Sequence, residues 1–76
     1  MAHFYFDVCT DGVTVVDEDG LDLLSAATAR LEAARAAAEM MRDRCAAKAV
    51  PADVSITVRD CSPKPVCTVQ VAFKVL

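Results

Sequence analysis

Four side chains of types that serve in catalysis or metal binding alternate along the N-terminal segment: His3, Tyr5, Asp7 and Cys9. A cysteine nucleophile needs a histidine base within hydrogen-bonding distance. His3 and Cys9 are six residues apart, which in an extended strand amounts to roughly 20 Å. They cannot form a catalytic couple within one chain, so the four side chains are interpreted as a polar, solvated strand face.

An acidic segment follows, Asp17-Glu18-Asp19-Gly20, with Asp22 two residues further on. Clustered carboxylates are the ligands that calcium prefers. A calcium-binding EF-hand loop, however, needs acids at its first, third and fifth positions before the glycine. Here the glycine arrives at the fourth position. The segment is therefore interpreted as an acidic turn.

Arg30 is close to this acidic segment in sequence and falls within the apolar arc of a predicted helix. A half-buried guanidinium group favours a bidentate carboxylate partner. We therefore expect a structural ion pair from Arg30 to Asp17, Asp19 or Asp22, which would lock the acidic segment against the helix start. The alternative is that the Arg30 side chain extends to water.

The cysteines and the single histidine do not have the spacing of a metal site. The four cysteines are Cys9, Cys45, Cys61 and Cys67, and no two of them form a Cys-x-x-Cys pair. A zinc site requires four ligands at closer spacing. The N-terminus lacks the basic and apolar regions of a secretory signal, so a cytoplasmic location with reduced thiols is expected. No metal and no cofactor are predicted.

Length and charge limit the classes of function. A chain of 76 residues with 55% hydrophobic residues predicts one folded domain over residues 1–76. Its formal charge of −3 argues against nucleic-acid binding, which normally requires a basic surface. No apolar run approaches the length of a membrane span.

Two β-hairpins are predicted from alternation and turn residues. Asp11-Gly12 favours a two-residue type I′ turn, which sets Val8 opposite Val15 and Thr10 opposite Val13. A loop over residues 61–64 would set Val58 opposite Cys67 and Ile56 opposite Val69. In both hairpins the register brings apolar residues onto one face.

A long helix is predicted from an N-cap at Ser25 to an end near Lys48, with Pro51 as the stop. Plotted at about 100° per residue, its apolar residues form two stripes. The Leu31 stripe consists of Ala27, Leu31, Ala34, Ala38, Met41 and Cys45. The Ala33 stripe consists of Ala29, Ala33, Ala36, Met40 and Ala47. We expect Leu31 and Met41 to cover the sheet, and something else to cover the Ala33 stripe.

These elements predict an α+β fold of two layers, in which one long helix covers one face of a four-stranded, mainly antiparallel sheet. The element order is ββαββ. A right-handed crossover makes the second and third strands parallel, and placing the first strand between them gives the order second, first, third, fourth. The expected dry layer beneath the helix contains Phe4, Phe6, Val15, Ile56 and Val71.

The chain resembles a family of short bacterial proteins described as a domain of unknown function. The stretches that carry the resemblance are Phe4-Tyr5-Phe6-Asp7, Asp11-Gly12, Asp17-Glu18-Asp19-Gly20 with Leu23, Ala29-Arg30-Leu31-Glu32-Ala33 and Val58-Arg59-Asp60. They occur in order along nearly the whole chain. The chain departs from the family pattern at Ser62-Pro63-Lys64-Pro65, where a glycine is usual. The resemblance implies a fold but no activity.

Either the sheet face away from the helix or the Ala33 stripe is predicted to form an interface, because exposed mixed apolar surface on a small domain often does. The candidate interface residues are Tyr5, Val16, Val66, Thr68, Gln70, Ala72, Ala33, Ala36 and Met40. A homodimer is expected, and a monomer with scattered apolar surface residues is the alternative.

The favoured function is a non-enzymatic, self-associating interaction module that docks a partner protein. The alternative is a regulator that binds a small basic toxin, since the chain also has a fainter similarity to the antitoxin half of a toxin–antitoxin pair. The basic DNA-reading segment of such antitoxins is missing. An enzyme ranks third, because one histidine and no nucleophile–base couple leave little for a preorganised pocket.

Overall fold

The predicted α+β class is confirmed by the computed structural model, which describes residues 1–48 and 51–76. Five strands and one helix follow each other along the chain, one strand more than predicted. They are β1 (Ala2–Thr10), β2 (Val13–Val15), β3 (Leu21–Leu23), α1 (Ala26–Ala46), β4 (Ala52–Arg59) and β5 (Cys67–Phe73). The sheet is one layer and the helix is the other. No helix in the described ranges has the length and apolar character needed to cross a bilayer.

The strands form an antiparallel sheet in the order β2-β1-β4-β5. Both predicted hairpin registers are confirmed. Val8 lies opposite Val15 in the first hairpin, and Ile56 lies opposite Val69 in the second. The central pair is β1 with β4, where Phe6 lies opposite Val58.

The strand that the sequence did not predict is β3, which pairs with the beginning of β1. Phe4 lies opposite Leu21, and Val8 lies opposite Val15. The outer chain therefore has two more residues than β1 over this stretch, and they are taken up by the acidic loop at residues 16–20. A three-residue strand next to four polar or glycine residues has too little alternation to be predicted.

Helix α1 begins as predicted at the N-cap Ser25, whose hydroxyl accepts a hydrogen bond of 3.2 Å from the Thr28 amide. It ends at Ala46, two residues before the expected end near Lys48. Lys48 instead has a positive φ of 58°, which takes the chain out of the helix.

The prediction that the Leu31 stripe faces the sheet is wrong for Leu31 and holds for Met41. The buried helix residues are Ala29, Ala33, Ala37 and Met41, and Leu31 is 72% exposed. Small side chains on this line let the helix lie close to β4, whose residues are alternately buried along its length. A helical wheel gives the spacing of two apolar stripes but not which of them faces the sheet.

The dry layer is accordingly smaller than predicted. Phe4 and Ile56 are buried, and Phe6 and Val71 are half-buried, but Val15 is 67% exposed. The cause is the position of the helix, which packs on β4 and β5 and touches β3. The helix-side surface of the β1–β2 hairpin is left largely uncovered.

Candidate functional site

The sheet face that points away from the helix, called the open face, is more polar than predicted. Of the candidate interface residues, Tyr5, Thr68, Gln70 and Ala72 alternate with the buried and half-buried positions of β1 and β5 and so lie on it. Thr68 Oγ1 is 3.1 Å from Thr57 Oγ1. Gln70 Nε2 donates a 3.1 Å hydrogen bond to an Asp53 carboxylate oxygen. These side chains already bond to one another across the strands.

Two of the six residues that were predicted for the open face, Val16 and Val66, do not lie on it. Val66 packs against the core. Its amide donates a 2.8 Å hydrogen bond to the Val58 carbonyl oxygen, and Val58 is also the strand partner of Cys67. Two residues opposite one make a bulge, where alternation fails. Val16 follows the last residue of β2 and lines a cleft on the helix side.

The Ala33 stripe is not a free surface either. Ala33 is fully buried in the core, and Ala36 is half-buried against it. Met40 is half-buried and reaches the cleft on the helix side. The expectation that something else covers this stripe is therefore wrong for its central part, which the sheet itself covers.

Arg59, which was not predicted as a site residue, organises the polar cluster at one end of the open face. Its Nε and Nη2 atoms donate to the two carboxylate oxygens of Asp7 at 2.6 and 3.1 Å. The guanidinium carbon lies 4.9 Å from the centre of the Tyr5 ring, in cation–π geometry. Hydrogen bonding from Arg59 lowers the pKa of the Asp7 carboxyl.

The acidic loop is held by Asp17. Its carboxylate accepts hydrogen bonds from the amides of Gly20, Phe6 and Asp19 at 3.0, 3.1 and 3.1 Å. These bonds, led by the one from Gly20, lower the pKa of the Asp17 carboxyl. In addition, the Asp17 carbonyl oxygen accepts a 3.1 Å hydrogen bond from Arg59 Nη2. The loop is thus fixed to β1 and to the end of β4.

The predicted ion pair of Arg30 with Asp17, Asp19 or Asp22 is not formed. Arg30 is exposed, and none of the ion pairs of the described residues includes it. The reason is that the helix turns the Ala29–Ala33 line toward the sheet, which leaves Arg30 facing water. The cation that holds the acidic loop comes instead from the end of β4.

His3 connects β1 to β3 and to the end of the acidic loop. Its Nδ1 is 2.6 Å from an Asp22 carboxylate oxygen, and its Nε2 is 2.8 Å from the Asp19 carbonyl oxygen. Both acceptors favour the protonated imidazolium, so the pKa of His3 is raised, chiefly by Asp22. The imidazole also contacts the Tyr5 ring edge to face at 5.0 Å between centroids.

The turn of the first hairpin is anchored at the far end of the molecule. Asp11 and Gly12 have positive φ values of 51° and 85°, as the predicted type I′ turn requires. The Asp11 carboxylate accepts a 3.1 Å hydrogen bond from the Asp53 amide and a second bond from Arg44 Nη2. The Asp11 amide bonds to the Asp53 carbonyl oxygen at 3.1 Å.

The chemistry open to these side chains is limited, because His3, Asp7, Asp17 and Arg59 are each engaged in structural hydrogen bonds. Among residues 1–48 and 51–76 no three histidine, cysteine or acidic side chains are grouped to hold a metal ion. All four cysteines are free thiols. The polar cluster therefore positions the acidic loop.

A cleft of about 570 Å³ lies on the opposite side of the sheet, between the β1–β2 hairpin, the acidic loop and α1. We call this the hairpin cleft. It is lined by Phe6, Val8, Thr10, Val15, Val16, Asp17, Glu18, Asp19 and Met40. Two valines at its rim are exposed, Val15 by 67% and Val16 by 58%.

The fold and the cluster define a two-layer α+β protein with an interrupted β2–β3 edge held by Arg59 and Asp17. The chain belongs to the family described as domain of unknown function DUF6894, which it matches over residues 3–72. This confirms the resemblance to a domain of unknown function. The comparison with curated proteins and the comparison with solved structures gave no match.

Proposed function

We propose that the protein is a non-enzymatic interaction module that forms a homodimer by antiparallel pairing of the β5 strands of two copies. The observation that carries the proposal is the outer edge of β5. This strand has seven residues, Cys67–Phe73, with no charge and no proline among them. Within the described residues no strand pairs with that edge. Unpaired edges of this kind are templates for strand addition.

The other edge of the sheet is unsuited to such pairing. Strand β2 has only three residues, and the acidic loop separates it from β3. Short, interrupted and charged edges are the devices by which proteins prevent edge-to-edge association. Strand β5 has none of them within its seven residues. Pro65 and Lys74 lie just outside its ends.

The sequence of β5 is compatible with a two-fold axis at Gln70. Antiparallel pairing about this residue places Val69 opposite Val71 of the second copy on the helix side, and Thr68 opposite Ala72 of the second copy on the open face. Cys67 then lies opposite Phe73 of the second copy. No like charges face each other, and apolar side chains meet on the helix side. Three of the candidate interface residues, Thr68, Gln70 and Ala72, are used in this arrangement.

A dimer would also increase the fraction of apolar surface that this small chain buries. A domain of 76 residues buries only about 60–65% of the surface its unfolded chain exposes. Phe73, at the end of β5, is 41% exposed. Packing Phe73 against a second copy would bury apolar area that the single chain leaves exposed, and association stabilises the folded state by mass action.

The test is the substitution Gln70→Lys. Within the chain the new ammonium lies beside Asp53, the present partner of Gln70, so the fold is retained. Across the two-fold axis it faces the same ammonium of the second copy, and like charges directly opposite each other disfavour the pairing. Sedimentation equilibrium at micromolar concentration should give twice the chain mass of 8.1 kDa for the natural sequence, and the chain mass for the variant.

The control is Thr14→Lys, which adds the same charge on β2, at the opposite edge of the sheet. This variant should remain dimeric. A natural sequence that sediments at the chain mass, or a Gln70→Lys variant that remains dimeric, would overturn the proposal.

A second candidate is an antitoxin-like regulator that binds a small basic toxin. It is supported by the formal charge of −3 and by the acidic residues that line the hairpin cleft. A neighbouring reading frame that encodes a small basic protein, and rescue of its toxicity by co-expression, would favour this candidate over a module that only self-associates.

The bacterial cytoplasm is proposed as the site of action. The support is chemical, since four free thiols in a chain of 76 residues suit a compartment that keeps cysteines reduced.

A further inference from the structure

We propose that the hairpin cleft binds a cationic amphipathic helix of a partner protein. The inference does not depend on the homodimer, because the cleft lies beside β2 and the proposed dimer axis lies at β5, the opposite edge of the sheet. A dimer paired through β5 would present two such clefts.

The floor and walls of the cleft are apolar and uncovered. Phe6, Val8 and Met40 are half-buried and form the inner surface, and Val15 and Val16 stand exposed at the rim. In a compact domain the helix would normally cover such residues, but α1 packs over β4 and β5. A volume of about 570 Å³ accommodates a few bulky apolar side chains. Contiguous exposed apolar surface of this kind marks an interaction site.

The loop-side rim of the cleft is acidic. Glu18 and Asp19 are exposed on the loop side, next to Asp17. On the helix side Asp43 lies three residues after Met40 and therefore on the same side of α1. Arg44, the adjacent cation, is paired with Asp11 at the hairpin turn. An apolar floor beside a row of carboxylates fits a segment with apolar side chains on one face and lysine or arginine next to that face.

The form of the occupant follows from the shape of the cleft. Strand addition is disfavoured on this side, because β2 has only three residues. A groove between a helix and a hairpin fits the recognition mode in which an amphipathic helix inserts its apolar face. A second copy of this chain fits the cleft poorly, because the acidic residues Asp17, Glu18 and Asp19 that line the cleft offer no cation to a partner that is itself acidic there.

The probe is a synthetic 18-residue amphipathic helix of leucine and lysine, titrated into isotope-labelled protein and followed by NMR. We expect saturable binding, with amide shift changes concentrated at Phe6, Val8, Val15, Val16 and Met40. The same peptide with glutamate in place of lysine should not bind. The titration is repeated on the Gln70→Lys variant, so that a failure of the homodimer and a failure of the cleft are told apart.

Two matched substitutions separate burial in the cleft from general charge attraction. Val16→Asp adds a carboxylate inside the cleft, and Val75→Asp adds one at the exposed C-terminal segment. If general attraction between the cationic peptide and the acidic protein were the only cause of binding, both variants would bind the peptide more tightly, and by the same factor. The proposal predicts that Val16→Asp weakens binding by about tenfold, because a valine side chain loses its buried contact, and that Val75→Asp leaves it unchanged or tighter.

Several results would overturn the proposal. One is the absence of binding at millimolar peptide. Another is shift changes spread over all acidic surface. A third is tighter binding by Val16→Asp. A fourth is equal binding of the glutamate peptide. Concentration-dependent shifts of the cleft amides without peptide would assign the cleft to a second copy, and would likewise overturn it.

Discussion

The half of the molecule formed by α1, β4 and β5 differs from the half formed by β1, β2 and β3 in what holds it together. In the first half alternate residues of β4 are buried beneath alanines of the helix. In the second half the valines of β2 are exposed. The outer chain there is held by Asp17, Arg59 and His3 through side-chain hydrogen bonds. The two halves meet at β1, which pairs with β4 on one side and with β2 and β3 on the other.

The difference shows what a small domain can do without a large core. Hydrophobic burial is non-directional and insensitive to pH, whereas charge-assisted hydrogen bonds are directional and depend on ionisation. The polar half therefore has a fixed loop geometry, and its stability should respond to acid. The apolar half should respond chiefly to lost volume. The predictions below test this division.

The largest effect is expected at the centre of the apolar half. Ile56 is 1% exposed, so Ile56→Ala leaves a cavity under the helix and should cost about 2–5 kcal/mol of unfolding free energy. Val15→Ala, on the exposed hairpin, should cost at most about 0.5 kcal/mol. Urea unfolding of both variants measures the difference. Similar losses at the two positions would remove the distinction between the halves.

An intermediate effect is expected at Gly20, in the acidic loop. Its φ is +73°, and a Cβ there would lie 2.8 Å from the Phe4 carbonyl oxygen and also contact His3 Nε2. Gly20→Ala should therefore cost about 1–3 kcal/mol and displace β3 from β1. Gly12 has a φ of +85° with no atom near its missing Cβ, so Gly12→Ala should cost only about 1–2 kcal/mol.

Thermal unfolding and hydrogen exchange of the β3 amides distinguish these two variants. Faster exchange at Leu21 and Leu23 is expected in Gly20→Ala but not in Gly12→Ala. Equal exchange in both would show that the close contact to Phe4 and His3 does not hold the strand.

The smallest change in the free energy of unfolding is expected on acidification. The pKa values of Asp7 and Asp17 are lowered in the folded protein, so their ionised forms stabilise it fully above the ordinary carboxyl pKa, about 3.8. This contribution is lost as pH falls through the lowered folded-state values. Urea unfolding should thus show stability falling below about pH 4. Asp17→Asn should be less stable at pH 7 and should lose less on acidification.

The control is Asp19→Asn. The Asp19 side chain accepts no hydrogen bond within the described part of the chain, and its contacts run through the backbone. This variant should keep the acid response of the natural sequence. If Asp17→Asn and Asp19→Asn behave alike, the hydrogen bonds to the Asp17 carboxylate do not account for the acid response.

The features that could be predicted from the sequence are those decided by neighbouring residues. Asp11-Gly12 with alternating apolar residues determined the first hairpin and its register, and Ser25 determined the helix start. These are local signals, in which turn chemistry and side-chain period agree. The predicted order of four strands agrees with β2-β1-β4-β5, but it lacks β3, which pairs with β1.

The features that could not be predicted depend on choices between distant parts of the chain. The helix has two apolar stripes of similar composition. The line that contains Ala29 and Ala33 packs on the sheet, because its small side chains allow the helix to approach closely. Asp17 bonds to Arg59 across 42 residues, and the only signal was that Asp7 and Arg59 alternate onto the same face of neighbouring strands. Proximity in sequence favours Arg30 over Arg59 as the partner of the acidic segment, and the structure shows that proximity does not decide the pairing.

The guanidinium of Arg59, shared between the Asp7 carboxylate and the Asp17 carbonyl oxygen, has a consequence for the order of events during synthesis. The N-terminal strands leave the ribosome long before the residue that fastens them, and β1 acquires its central neighbour only with β4. Until then the β1–β2 hairpin lacks the strand that pairs with its other edge, and an isolated two-stranded hairpin is at best marginally stable in water.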